Sequence, residues 1–164
     1  MKFFVIAALA FSALFSMPSY AADQTPQTPE EQQIARDKMK ADKKFVVSDN
    51  LNLTGSESKV FWPLYEAYQA DQDKLDDRLI AIIQDYAKNY KTMTDAVALK
   101  IITQRTDLDV ERTKLVQSYL PKFSAVLPGV KTARYYQVEY RVRLLLSLDL
   151  AKQIPMVEAP ASQP

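Results

Sequence analysis

An acidic stretch of the chain, residues 71–77, holds four aspartates within two turns of a predicted helix. Asp73 and Asp77 are four residues apart and share one helix face, where two carboxylates could bind a hard cation such as Ca²⁺. Lys74 and Arg78 interleave with these aspartates, and such mixed charge is typical of a salt-bridged helix surface. The sequence leaves both interpretations open, a metal-responsive site or a solvated face. Nothing marks a cleft in which the pair would act as acid and base.

Two clusters of aromatic side chains are the second feature that could bind a partner. Aromatic and arginine side chains bury a large area and keep a polar tip, so they are enriched at protein interfaces. One alternative is that the two clusters pack against each other within a bundle. Another is that Phe61 and Tyr135 are buried while other members are exposed. The candidate partner-binding residues are Phe61, Trp62, Tyr65, Tyr68, Tyr135, Tyr136 and Arg141.

The third predicted helix carries two apolar stripes and a polar centre. The first stripe contains Leu99, Ile102, Val116, Leu120 and Phe123, and the second contains Ile101, Leu108, Leu115 and Tyr119. A helix with two stripes contacts more than one neighbour, either in a bundle or across a homodimer. The polar centre, with Arg105 and Arg112, has two interpretations. It sets the register of a dimer through paired charges, or it is an exposed surface that faces clients.

The chain contains no histidine and no cysteine, and this limits its chemistry. The commonest general base is missing, and the Ser-His-Asp and Cys-His arrangements are excluded. Two glycines leave no room for a phosphate-binding loop, and a net charge of +1 does not favour a nucleic-acid partner. We therefore expect a protein that is not an enzyme, carries no cofactor and binds no nucleic acid.

The amino terminus has the pattern of a secretory signal peptide over residues 1–21. Lys2 precedes an apolar run from Phe3 to Met17, and Ser19 to Ala21 form a small-x-small cleavage site. The run of about 15 residues is shorter than the roughly 20 needed to span a bilayer. The sequence predicts an exported, periplasmic protein without a membrane span after cleavage. It further predicts a disordered leader over 22–28, one helical domain over 29–155 and a flexible tail over 156–164.

The periodicity of apolar residues predicts an all-α fold of four helices with two long central ones. Pro63 is expected to kink or restart the second helix, and Pro121 and Pro128 are expected to bracket a break. The leucine-rich segment 144–150 is expected to be the most buried part of the chain. The predicted helices cover residues 29–47, 54–90, 92 or 94 to 119, and 128–153.

The starts of the second and fourth helices echo each other. LTGSESKVFWPLY at residues 53–65 aligns with LPGVKTARYYQVE at residues 127–139, with an aromatic pair at the same two positions. The pattern predicts two helical hairpins related by approximate two-fold symmetry, unless two helix starts are alike by chance.

The motif Leu53-Thr54-Gly55-Ser56-Glu57 resembles the LTxxQ motif of the Spy/CpxP family of periplasmic stress proteins, with Glu in place of Gln. The second copy, Leu127-Pro128-Gly129-Val130-Lys131, departs at both the Thr and the Gln. The resemblance implies a bent helical hairpin paired with a second chain into a cradle. It also implies an ATP-independent chaperone or an envelope-stress adaptor that binds partly folded proteins or a sensor partner.

Overall fold

The computed structural model describes residues 28–157, which form four α-helices and no strand. The helices are α1 (Pro29–Leu51), α2 (Gly55–Asn89), α3 (Asp95–Val126) and α4 (Gly129–Gln153), with a 3-10 turn at Tyr90–Thr92. The all-α prediction with long central helices is confirmed, since α2 has 35 residues and α3 has 32. The predicted signal peptide, the leader up to residue 27 and residues 158–164 lie outside the described residues.

The described residues divide into two compact units. Residues up to Gly55 join Pro128–Ile154 in the first unit, and Ser56–Leu127 joins the residues from Pro155 on in the second. Each unit is therefore one pair of helices, α1 with α4 and α2 with α3. The single domain over 29–155 and the pairing into a dimer stay predictions. Across residues 28–157, no helix combines the length and the apolar character that crossing a bilayer requires.

The first helix begins where the sequence predicts and ends four residues later than predicted. The Thr28 hydroxyl accepts a hydrogen bond from the Glu31 amide, and the Glu31 carboxylate accepts one from the Thr28 amide, which completes a capping box. The predicted end at Val47 is wrong, because the helix continues to Leu51. Val47 and Leu51 lie one turn apart and are both buried, so their burial outweighs the weak helix propensity of residues 48–50.

The predicted break at Pro121 is also wrong. Helix α3 continues through this proline to Val126, and α2 likewise continues through Pro63 without restarting. An internal proline removes one backbone hydrogen bond and costs about 3 kcal/mol. Tyr119 and Phe123 are buried on either side of Pro121, while the proline itself is exposed. The burial of these aromatic rings offsets the cost of continuing the helix.

In the second unit, α2 and α3 form an antiparallel pair. Asp85 and Lys100 form an ion pair of 2.9 Å near the connection, whereas the Phe61 and Phe123 rings meet at 5.6 Å near the other end. Each helix turns one apolar face inward. The buried side chains of this unit are Phe61, Tyr65, Tyr68, Gln72, Leu75, Ile83, Leu108, Tyr119, Phe123 and Leu127.

In the first unit, α1 and α4 are antiparallel as well. Lys43 binds Glu139 at 2.8 Å, and the Lys131 ammonium donates to the Asn52 carbonyl at 3.1 Å. The buried side chains of α4 all lie in its amino-terminal part, between Thr132 and Val142. This part lies beside the carboxyl half of α1, which supplies the buried residues Val47 and Leu51.

The expectation that segment 144–150 would be the most buried is wrong. Leu144, Leu145 and Leu148 are each more than half exposed. In the antiparallel pair this segment lies beside the amino-terminal half of α1, where EEQQIARDKMKAD offers only Ile34 and Met39 as large apolar residues. The leucines of α4 therefore have few apolar partners within their own unit.

Candidate protein-binding surfaces

The aromatic cluster of α2 forms the core of the second unit and offers little surface to a partner. Phe61 and Phe123 are completely buried, and Tyr68 packs against Tyr119 with ring centroids 5.0 Å apart. Among the predicted binding residues of α2, only Trp62 is partly exposed, and it meets the Phe61 ring edge-on at 5.0 Å. Phe61, Tyr65 and Tyr68 are therefore core residues whose close ring contacts exclude a partner, and the cluster packs against Tyr119 and Phe123 of α3.

The two echoed helix starts share one pattern of burial. Each helix begins at the glycine of its motif, Gly55 in α2 and Gly129 in α4. The first aromatic residue of each pair, Phe61 or Tyr135, is completely buried, and the second, Trp62 or Tyr136, is half-buried. This agrees with the mixed alternative, in which Phe61 and Tyr135 are buried while neighbouring residues retain some exposure. The sequence echo thus corresponds to equivalent packing positions at the start of two helices.

The acidic segment of α2 is held by side chains of α3. The Arg112 guanidinium donates to the Gln72 side-chain oxygen at 2.7 Å and to Asp76 at 2.8 Å. The Gln72 amide in turn donates to the Tyr68 hydroxyl at 2.6 Å, although Gln72 is buried. Arg112, predicted to bind a partner or set a dimer register, thus joins the two helices of its own unit. A buried polar group needs such partners, because leaving it unsatisfied costs about 1–3 kcal/mol.

Two carboxylates beside this network are also neutralised by neighbouring cations. Asp71 accepts from Lys74 and from the Tyr119 hydroxyl, both at 2.7 Å, and Glu111 pairs with Arg78. The Arg78 guanidinium lowers the pKa of Glu111. These charges line an open groove of about 540 Å³ between α2 and α3. The groove carries both signs of charge and so does not favour a free ion.

The predicted metal ligands are not gathered into a multidentate site. Asp73 is half-buried and Asp77 is exposed on α2. Within residues 28–157, no three carboxylate, histidine or cysteine side chains lie close enough together to hold a metal ion. Calcium sites in proteins supply six to eight oxygen ligands. The paired charges around Asp71 and Asp76 instead agree with a salt-bridged surface.

Acid should weaken the second unit through Asp71. Hydrogen bonds from Lys74 and Tyr119 lower the pKa of Asp71 below its usual value of 3.8. A lowered pKa in the folded state adds stability that is complete above the unfolded pKa and is lost as the pH falls below about 4. Asp71→Asn should therefore flatten the decline in melting temperature between about pH 4 and pH 2. An unchanged slope in the variant would show that Asp71 contributes nothing to this decline.

The third helix exposes Leu99, Ile102 and Leu120 of the first predicted stripe, whereas Phe123 at the end of that stripe is completely buried. We define the α3 stripe as Leu99, Ile102, Val110 and Leu120, whose exposures range from 45% to 66%. Exposed Thr106 and Thr113 lie between them on the same side of the helix. Leu108 and Tyr119 of the second stripe are buried against α2, and so is Phe123. At 1.5 Å per residue, the α3 stripe is about 32 Å long.

The polar centre of α3 divides between these two faces. Arg105 pairs with Asp109 on its own helix at 3.1 Å and remains partly exposed beside the α3 stripe. Arg112 points to α2 instead, with only 12% of its side chain exposed. Of the two predicted arginines, Arg105 therefore lies where a partner could reach it.

The fourth helix has a second exposed apolar surface, which we call the α4 patch. It comprises Tyr140, Arg141, Leu144, Leu145 and Leu148, and its four apolar members are 52–57% exposed. Single exposed apolar residues are common, but four within nine residues of one helix form a contiguous patch. Arg141 was predicted as a binding residue and lies in this patch. The leucines were missed because an unbroken apolar run is also the pattern of a buried helix.

No family model, curated protein or solved structure matches this chain. The resemblance to the Spy/CpxP family therefore stays a prediction that depends on the two short motifs.

Proposed function

We propose that this protein is an exported, non-enzymatic helical binding protein that holds partly folded proteins without ATP, as a chaperone or an envelope-stress adaptor. The proposal combines the signal-peptide pattern of residues 1–21 with the lack of histidine and cysteine. The observation that carries it is the exposed α3 stripe. A periplasmic location is part of the proposal.

The composition of the α3 stripe suits weak binding of many clients. Its apolar side chains are separated by threonines and flanked by the Arg105–Asp109 pair. A client can therefore make both apolar and polar contacts along the helix. Binding energy from apolar burial is about 25 cal/mol per Å² and does not depend on a defined partner shape. A surface about 32 Å long can therefore contact an extended client chain at several points.

The test is an aggregation assay with chemically denatured clients. At about equimolar ratio and without ATP, the wild-type protein should slow aggregation, because it covers apolar segments of the client. Leu99→Gln/Ile102→Gln should lose most of this effect, since both substitutions remove exposed apolar area and retain helix propensity. Light scattering measures the rate, and the melting temperature of each variant confirms that it is folded.

The matched control is Val60→Gln, which removes an apolar residue of α2 that is 49% exposed and lies outside the α3 stripe. This variant should protect clients as well as the wild type. Failure of the wild type to slow the aggregation of several unrelated clients would refute the proposed function. Equal loss in the control variant would show that the α3 stripe has no special part in it.

A further inference from the structure

Helix α4 combines the exposed apolar residues of the α4 patch with arginines, in and beside the patch, that have no ion-pair partner within residues 28–157. Helix α4 has five basic and two acidic side chains, whereas α2 has four basic and seven acidic ones. Both acidic side chains of α4 are already paired, Glu139 with Lys43 and Asp149 with Lys152. Arg134, Arg141 and Arg143 have no ion-pair partner within residues 28–157.

The spacing of these side chains resembles that of a helix that lies in a membrane interface. Tyr140, Leu144 and Leu148 follow one another at intervals of four residues, and Arg141 and Leu145 lie beside them. The Arg143 guanidinium lies 5.9 Å from the Tyr140 ring centroid. Interfacial helices insert leucine and aromatic side chains roughly 5–10 Å into the headgroup region, while arginine stems keep their charge among the phosphates.

The charge of the patch selects a partner that is both apolar and anionic. The patch lies on the exposed side of α4, while the opposite side of the helix, with Tyr135, Val138 and Val142, is buried. A protein partner would need an apolar groove whose acidic groups lie opposite the arginines. An anionic bilayer offers an apolar interior and negatively charged phosphates and needs no shaped groove. With no helix in the described residues able to cross a bilayer, the contact would be peripheral.

We propose that the α4 patch binds the surface of anionic lipid membranes, with α4 lying along the interface. Arg141 and Arg143 draw the helix to the lipid phosphates, and Leu144, Leu145 and Leu148 insert beside them. This inference does not depend on the proposed client binding, because the α3 stripe lies on a different helix in the other unit.

Vesicle sedimentation tests the lipid proposal directly. Residues 22–164, which contain all of the described structure, are mixed with phosphatidylcholine vesicles or with vesicles containing about one third phosphatidylglycerol. We expect binding to the anionic vesicles only, and weaker binding as salt rises from about 0.05 M to 0.5 M. Arg141→Gln/Arg143→Gln and Leu144→Gln/Leu148→Gln should each lower the partition coefficient on the order of tenfold. Leu99→Gln/Ile102→Gln should bind lipid as the wild type does.

Insertion can be followed separately, because the natural chain has no cysteine. A polarity-sensitive fluorophore attached to Leu145→Cys should shift to the blue on anionic vesicles, whereas the same label on Val60→Cys should not. No binding to anionic vesicles at low salt would overturn the proposal, and so would binding that is insensitive to the leucine substitutions. Capture of a protein partner through the α4 patch without any vesicle binding would overturn it in favour of a protein ligand.

Discussion

Replacing Phe123 with alanine should lower the free energy of unfolding by about 3–5 kcal/mol, the usual cost of deleting a buried aromatic side chain. Phe123 is completely buried, and its ring lies 5.6 Å from Phe61, 5.8 Å from Tyr68 and 6.2 Å from Tyr119. The loss would be a large part of a typical total stability of about 5–15 kcal/mol. Urea denaturation followed by circular dichroism measures it.

The control for this prediction lies on the same helix. Leu99→Ala removes an apolar side chain of α3 that is 66% exposed, so it should change the stability by no more than about 0.5 kcal/mol. A similar cost for both substitutions would contradict the division of α3 into one buried and one exposed apolar face. That division also supports the proposed function, because the α3 stripe is available to clients only if the other face holds the helix in place.

Lys43→Met should destabilise the protein by about 3 kcal/mol, because it removes a cation that pairs with the buried Glu139 carboxylate. Only 9% of the Glu139 side chain and 21% of the Lys43 side chain are exposed, and the charged atoms are 2.8 Å apart. Breaking a buried pair by removing one partner costs more than the pair contributes, since the remaining charge stays desolvated. The midpoint of chemical denaturation reports the change.

A second substitution separates the charge effect from lost packing. In Lys43→Met/Glu139→Gln the buried negative charge is removed together with its cation, so most of the lost stability should return. Lys38→Met breaks an exposed pair with Asp42 on the same helix and should cost less than about 1 kcal/mol. A double variant as unstable as Lys43→Met would show that the methylene chain of Lys43, and not its charge, stabilises α1 against α4.

Local sequence signals predicted the helix starts better than the helix ends. The hydroxyls of Thr28 and Thr94 accept hydrogen bonds from backbone amides three residues later. These two helix starts therefore depend only on the local sequence. The ends at Leu51 and Val126 were missed because they depend on residues far along the chain. Burial of Leu51 and Phe123 continues each helix past Ser48 to Asn50 and past Pro121, where local propensity alone predicts a stop.

The candidate binding residues were also predicted only in part. The sequence identified Arg105 and Arg141, which lie at exposed surfaces, but it assigned binding to Phe61, Tyr65, Tyr68 and Tyr135, which are buried. Aromatic residues at helical spacing suit a core as well as an interface, so their types alone do not decide between the two. The missed residues, Leu144, Leu145 and Leu148, gave no signal of exposure, because an unbroken apolar run is also the pattern of a buried helix.

By itself, the sequence determined the helical class and the helix starts. It also excluded sites that use a histidine or cysteine side chain of these 164 residues. The tertiary structure alone decided which apolar faces are covered. The helical repeat places the apolar residues of each helix on one face. That face is buried only where the neighbouring helix has apolar side chains at the same level along the helix axis. Helix α2 supplies them to Leu108 and Tyr119, while the polar start of α1 leaves Leu144 and Leu148 in solvent.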